Sequence, residues 1–258
     1  MRLHVHAWGD PDSSPPLVCL HGVTAHGPHF RRLAEERLAA RYRVLAPDLR
    51  GHGRSGWEPP WTIEAHLDDL VETLGERSAI WVGHSFGGRL VLELATRRPE
   101  LVERAVLLDP AIQLLPHVGF DMAELSRPDR VYASLAEAVE RRYAESRLIL
   151  TPRALLEEEL AEHLVPDGDG NLRYRYCQST VVAAYGEMTR DAPPWERLHA
   201  PTLLVVGAES WILLDHLLDG FRTTLGERAT VATVPGGHTV LWEAFDETAA
   251  AVAAFLDD

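Results

Sequence analysis

The run Ser78–Ala79–Ile80–Trp81–Val82–Gly83–His84–Ser85–Phe86–Gly87–Gly88 decides the fold. Its first five residues, Ser78 and the apolar run Ala79–Val82, read as a strand that runs directly into Gly83. From Gly87 to Arg98 the apolar positions Leu90, Val91, Leu94 and Ala95 fall on one helical stripe, closed by Pro99. Between strand and helix, Gly83–His84–Ser85–Phe86–Gly87 fits G-x-S-x-G. Glycines there allow a turn sharp enough to push a serine hydroxyl out at the end of the strand. Ser85 is therefore the candidate nucleophile.

Working outward, the chain alternates strands and helices on both sides of this turn. Towards the N-terminus, strands are expected at Leu3–Ala7, Leu17–Leu20 and Arg43–Ala46, the last stopped by Pro47. Helices are expected over Phe30–Arg41, with Phe30, Leu33, Ala34 and Leu38 on one face, and over Thr62–Leu74, where Thr62 is placed to cap. After the serine turn come a strand at Ala105–Leu108, a long interruption, and then strands at Thr202–Val206 and Ala229–Val234 separated by a helix near Leu213–Leu225. A helix over Asp246–Leu256 ends the pattern. Such alternation predicts an α/β fold with a mostly parallel central sheet covered by helices on both faces. Residues 112–197 carry helix-like pieces such as Leu135–Arg147 and Ala154–Leu164 but no strong buried strand, and read as a helical cap or lid. The core is then 1–111 and 198–258. A cap inserted between parallel strands sits over their carboxyl ends, where such sheets bind ligands.

Bulk properties fit one soluble globular unit. The 258 residues suffice for a single sizeable core, and 46% apolar with 25% charged residues is ordinary. All 25 basic residues are arginine, against 39 acidic ones, giving a formal charge of −14. That balance argues against nucleic acid or anionic membrane as a partner, since both require a basic footprint. Met1–Asp10 lacks a basic region followed by an apolar one, and no later segment approaches 18 uninterrupted apolar residues, so a cytoplasmic protein without stable membrane insertion is expected. Cys19 and Cys177 give neither a disulfide framework nor metal-type spacing.

A serine hydroxyl needs an adjacent base. His238 follows the last expected strand in Pro235–Gly236–Gly237–His238, which would bring its imidazole to the edge that carries Ser85. A tetrahedral intermediate also needs N–H donors aimed at its oxyanion. Phe86, directly after the serine, supplies one; Val23, in the loop His21–Gly22–Val23, supplies the other. His26 and His29 have H-x-x-H spacing, but no third ligand is evident, so no metal and no cofactor are expected. Trp57, Trp61, Trp211 and Trp242 flank these loops and would line an apolar acyl pocket or pack the core.

Together these motifs resemble the α/β-hydrolase superfamily: Leu20–His21–Gly22, Pro47–Asp48–Leu49–Arg50–Gly51–His52–Gly53–Arg54–Ser55, Gly83–His84–Ser85–Phe86–Gly87–Gly88 and Gly237–His238 occur in its order across nearly the whole chain. The segment Gly51–Ile63, the run Leu108–Asp109–Pro110–Ala111 and Glu159–Leu164 look like the small actinobacterial lipases and carboxylesterases. One position departs from the family pattern. Where the family usually carries its aspartate after the strand at Thr202–Val206, this chain has Ser210. The resemblance leaves two acids: Asp109, at the strand end that looks like the acid site of pancreatic-type lipases, and the alternative, Glu209.

What the resemblance implies is a serine hydrolase that cleaves a small-molecule carboxylic ester with an apolar acyl group through an acyl-enzyme on Ser85. Ser85 excludes the epoxide hydrolases and haloalkane dehalogenases of this fold, which need an aspartate there. A carbon–carbon bond hydrolase, a cofactor-free haloperoxidase or perhydrolase, and a thioesterase or acyltransferase remain open, as does a non-catalytic ligand receptor.

Overall fold

The computed structural model describes residues 1–146 and 151–257. Seven strands form the central sheet: β1 (Val5–Trp8), β2 (Leu17–Leu20), β3 (Val44–Pro47), β4 (Ala79–His84), β5 (Val102–Leu108) and, after the insertion, two more. The insertion contributes β6 (Val131–Tyr132), β7 (Leu164–Pro166) and β8 (Leu172–Tyr174), followed by β9 (Thr202–Gly207) and β10 (Ala229–Val234) of the main sheet. Strand order in the large sheet is β1-β3-β2-β4-β5-β9-β10. Every neighbouring pair is parallel except β1 with β3.

Period-two alternation along the strands divides the core between the two faces of the sheet. In β4, Ala79 and Trp81 join the cluster that includes Phe86, Leu90 and Leu94. Ile80 and Val82 join the opposite cluster, with Phe30, Leu33, Val240, Val252 and Phe255. β4 thus lies in mid-sheet, buried on both faces, and its last residue delivers the chain to Ser85.

The helix Ile63–Leu74 begins where expected: Thr62 is its N-cap and its hydroxyl accepts from the Ala65 N–H at 3.3 Å. Phe30–Arg41 differs from the expected single helix. It divides into a 3₁₀ turn over Gly27–Phe30, one α-turn over Arg31–Leu33 and a π-turn over Ala34–Leu38. Pro28 starts the 3₁₀ turn, and the wider π-turn closes with the Ala39 N–H donating to the Ala34 carbonyl at 2.8 Å. The expected face nevertheless reaches the core, with Phe30, Leu33, Ala34 and Leu38 all buried.

Between β5 and β9 lie helices Pro116–Ser126, Leu135–Ser146, Arg153–His163 and Gln178–Glu187, together with a small antiparallel sheet ordered β6-β8-β7. Arg147, at the end of one expected helix, is outside the described residues. The small sheet departs from the purely helical reading. Strands of two or three residues, only partly buried, carry too few side chains for a period-two signal. Both cysteines are free, and burial pushes the Cys19 thiol pKa up. Among the described residues no helix is long and apolar enough to cross a membrane.

Gly87 shows how tightly the serine turn is packed. A Cβ there would collide with the Leu20 carbonyl of the neighbouring strand. We expect Gly87→Ala to lose about 2–3 kcal/mol of stability through overpacking, read as a lowered thermal midpoint and a smaller soluble yield. An unchanged midpoint would show that this contact can relax.

Candidate active site

Ser85 connects β4 to the helix Phe86–Arg97 with φ 55°, ψ −117°. For a non-glycine residue this backbone is strained, and the surroundings hold it in place. The Ser85 N–H donates to the Leu108 carbonyl at 3.2 Å, while its own carbonyl accepts from Arg89 and Ala111. Its side chain is buried at the carboxyl edge of the sheet.

His238 stands opposite. Its Nε2 lies 2.8 Å from Ser85 Oγ and its Nδ1 lies 2.6 Å from Asp109 Oδ2. A carboxylate only accepts, so Nδ1 carries the proton and Nε2 turns a lone pair towards the serine hydroxyl. Sequence reasoning placed all three residues at this edge, and the structure brings them into one hydrogen-bonded line.

Asp109 directly follows β5, is fully buried, and also has positive φ, 41°. The Gly207 N–H, at the end of neighbouring β9, donates to its Oδ1 at 3.0 Å. The Ser210 hydroxyl donates to Oδ2 at 2.5 Å. The residue at the family's usual acid position therefore supports a carboxylate reaching across from the adjacent strand. Glu209 lies elsewhere: it is exposed, and its backbone N–H donates to the Gly236 carbonyl at 2.9 Å.

The loop after β2 closes the other side of the serine. A Cβ at Gly22 would stand 3.2 Å from Ser85 Cβ and 3.6 Å from Oγ, so this close approach suits glycine. Buried histidines pin the loop to the segment after β3. His21 donates from Nδ1 to the Gly22 carbonyl at 2.8 Å and accepts from the Leu49 N–H at Nε2, 2.9 Å. His52 Nε2 lies 2.7 Å from the Val23 carbonyl. Burial holds both rings below the ordinary histidine pKa, so they serve as neutral struts. Phe86 is the first residue of its helix, and its N–H is one of the donors that an α-helix leaves without an internal partner.

Two supports have no motif behind them. His84, the variable residue of the serine turn, donates from Nε2 to the His238 carbonyl at 2.8 Å. Glu243 accepts from the Gly237 N–H at 2.5 Å and from the Thr239 hydroxyl at 2.8 Å, which holds the glycine turn. Both contacts join residues by tertiary packing or by a local turn, which spacing does not reveal. Of the four tryptophans, Trp242 packs edge-on to His29 at 5.1 Å, whereas Trp57 and Trp211 are largely exposed.

A family model described as the alpha/beta hydrolase fold matches residues 15–245. The chain belongs to the α/β-hydrolase fold family. Lipase LipV of Mycobacterium tuberculosis is 35% identical over 247 residues, covering 92% of this chain and 91% of that protein. The mouse sn-1-specific diacylglycerol lipase ABHD11 is 30% identical over 254 residues, covering 94% and 81%. Among solved structures, E-2-(acetamidomethylene)succinate hydrolase superposes with a TM-score of 0.87 at 25% identity, covering 99% of this chain and 95% of that one. In α/β-hydrolase terms, the Ser85 turn occupies the position of the nucleophile elbow. The chain departs from the usual pattern after β9, where it carries Ser210, and the carboxylate beside His238 is that of Asp109, directly after β5.

Proposed function

We propose that this chain hydrolyses carboxylic esters through an acyl-enzyme on Ser85. The observation that carries this reading is the line Ser85 Oγ, His238, Asp109, with separations of 2.8 and 2.6 Å. The similarity to proteins named as lipases supports an ester as substrate. In the first half-reaction Ser85 Oγ attacks the ester carbonyl as its proton passes to His238 Nε2. The imidazolium is stabilised by Asp109, and the developing oxyanion accepts from the Val23 and Phe86 N–H groups. Collapse breaks the ester C–O bond, and the Nε2 proton leaves with the alcohol. Water then attacks the acyl-enzyme, giving its proton to Nε2; collapse returns that proton to Ser85 Oγ and releases the acid. Residues 112–197 act as the cap over this edge, and the acyl group is apolar.

Ser210 is a positioning residue in this scheme, since its hydroxyl bonds Asp109 and accepts from the Ile212 N–H at 3.3 Å but bonds neither Ser85 nor His238. Its hydroxyl shares Oδ2 with His238, so Ser210→Ala frees the carboxylate to turn while the Gly207 N–H still holds Oδ1. Losing one hydrogen bond to a charged group predicts a fall in kcat of about ten-fold with little change in KM. An unchanged kcat would remove Ser210 from the scheme.

The reaction class is tested by supplying p-nitrophenyl esters of several acyl lengths to the purified protein. Continuous release of p-nitrophenol supports the proposal. A single burst followed by silence would indicate a receptor, and activity confined to a diketone, to a thioester or to peroxide-containing mixtures would replace it with another chemistry.

A further inference from the structure

Away from Ser85, two buried imidazoles and a carboxylate meet where the first loop touches the insertion. His26 follows β2 and the Gly22 turn; Glu159 and His163 lie one turn apart on the helix Arg153–His163. One ligand atom from each lies within 4.8 Å of the other two. His26 Nε2 stands 3.2 Å from Glu159 Oε1, and the His26 and His163 rings stack with centroids 4.2 Å apart. Both histidines are more than nine-tenths buried, and the Nε2 atom of each makes no hydrogen bond. Leaving two such atoms unsatisfied carries a desolvation penalty that an electrophile between them would relieve.

We propose that His26, Glu159 and His163 bind a divalent late transition metal of the zinc type. Two imidazoles and one carboxylate are a borderline donor set suited to zinc rather than to calcium or magnesium, with water free to complete four-coordination. Imidazole lone pairs lie in the ring planes, and these planes are parallel to within 4°, so binding turns the rings towards each other about χ2. The H-x-x-H spacing in the first loop finds its further ligands in the insertion, while His29 turns away to stack on His84 and meet Trp242 edge-on. The Arg31–Glu162 ion pair, 2.5 Å, joins the α-turn just after the first loop to the same helix of the insertion. The ion therefore clamps the insertion to the loop that carries Val23. A second group, His4, His6 and Asp48, has similar spacing. It is the weaker candidate because the Asp48 carboxylate already accepts from the Gly27 and Arg54 N–H groups and contacts His6.

The test uses full-length protein without a polyhistidine tag, stripped with a chelator and titrated with Co²⁺ and then Zn²⁺. We expect visible cobalt bands of low coordination number saturating at one equivalent, displacement by zinc, and a zinc-dependent rise in Tm. His26→Ala and His163→Ala should abolish the bands, Glu159→Gln should weaken binding about ten-fold or more, and His4→Ala should leave it unchanged. Glu159→Gln keeps side-chain volume at a partly exposed position, so it remains informative if a histidine variant fails to fold. Absence of bands in the wild type, bands unaffected by Glu159→Gln, or bands lost in His4→Ala would overturn the proposal. Because metal binding is read without substrate, its failure is distinguishable from failure of the esterase reading.

Discussion

Ester turnover is expected to fall by on the order of 10⁵–10⁶-fold in Ser85→Ala and His238→Ala, and by about 10⁴-fold in Asp109→Asn. The graded series follows from the geometry. Ser85 and His238 form one bond-making unit, so losing either removes the covalent route. Asp109→Asn preserves shape but offers an amide to Nδ1, favouring the tautomer whose Nε2 proton points at the serine and blocks its deprotonation. Glu209→Gln should stay within about two-fold of wild type, because the Glu209 side chain is exposed and the acid next to His238 is Asp109. Steady-state rates of the four variants, on protein whose folding has been checked by circular dichroism, measure this directly. Equal losses in Asp109→Asn and Glu209→Gln would contradict the assignment.

Acidification should destabilise the protein before most of its carboxylates titrate. Burial lowers His29 and His66 to about 3, and His21 and His84 well below the ordinary histidine value. Unfolded histidines bind protons below about pH 6.5, whereas these native rings stay neutral, so the unfolded state takes up more protons and native stability declines as pH falls from 6.5 towards 3. For a ring moved from 6.5 to about 3, the loss between pH 7 and pH 5 is roughly 2 kcal/mol. His29 and His66 together then contribute about 4 kcal/mol, against a typical total stability of about 5–15 kcal/mol. Urea midpoints should therefore drop steeply between pH 7 and pH 5. His66→Leu, which removes a ring whose two nitrogens are buried without hydrogen bonds, should flatten that dependence. Equal midpoints at the two pH values would contradict this account of the buried histidines.

Legibility in the sequence tracked how local each signal was. Leu17–Leu20 and Ala229–Val234 were readable to the residue because unbroken apolar or β-branched runs with clear punctuation leave little choice. The Ser85 turn was equally clear, since its glycines answer a local steric demand. The three short strands of the insertion and the π-turn at Ala34–Leu38 were not, because neighbouring segments define them. Ser85, His238 and Asp109 could be named from strand ends. Choosing Asp109 over Glu209 by geometry needed the β5–β9 pairing, which sets Asp109 beside Gly207 and Ser210. His84 and Glu243 gave no signal, as their contacts depend on where the glycine turn of His238 finally lies. The partners of His26 are more than a hundred residues distant, which is why its ligand-like spacing looked incomplete.

The central claim is that Ser85 carries the acyl group. Rapid acid quenching after mixing with a p-nitrophenyl ester, followed by mass spectrometry of the digested protein, tests it most directly. The expected result is one acyl group on the peptide containing Ser85, formed with the first release of p-nitrophenol and decaying at a rate that accounts for turnover. Turnover with no adduct on Ser85, or with the adduct on another residue, would contradict the account.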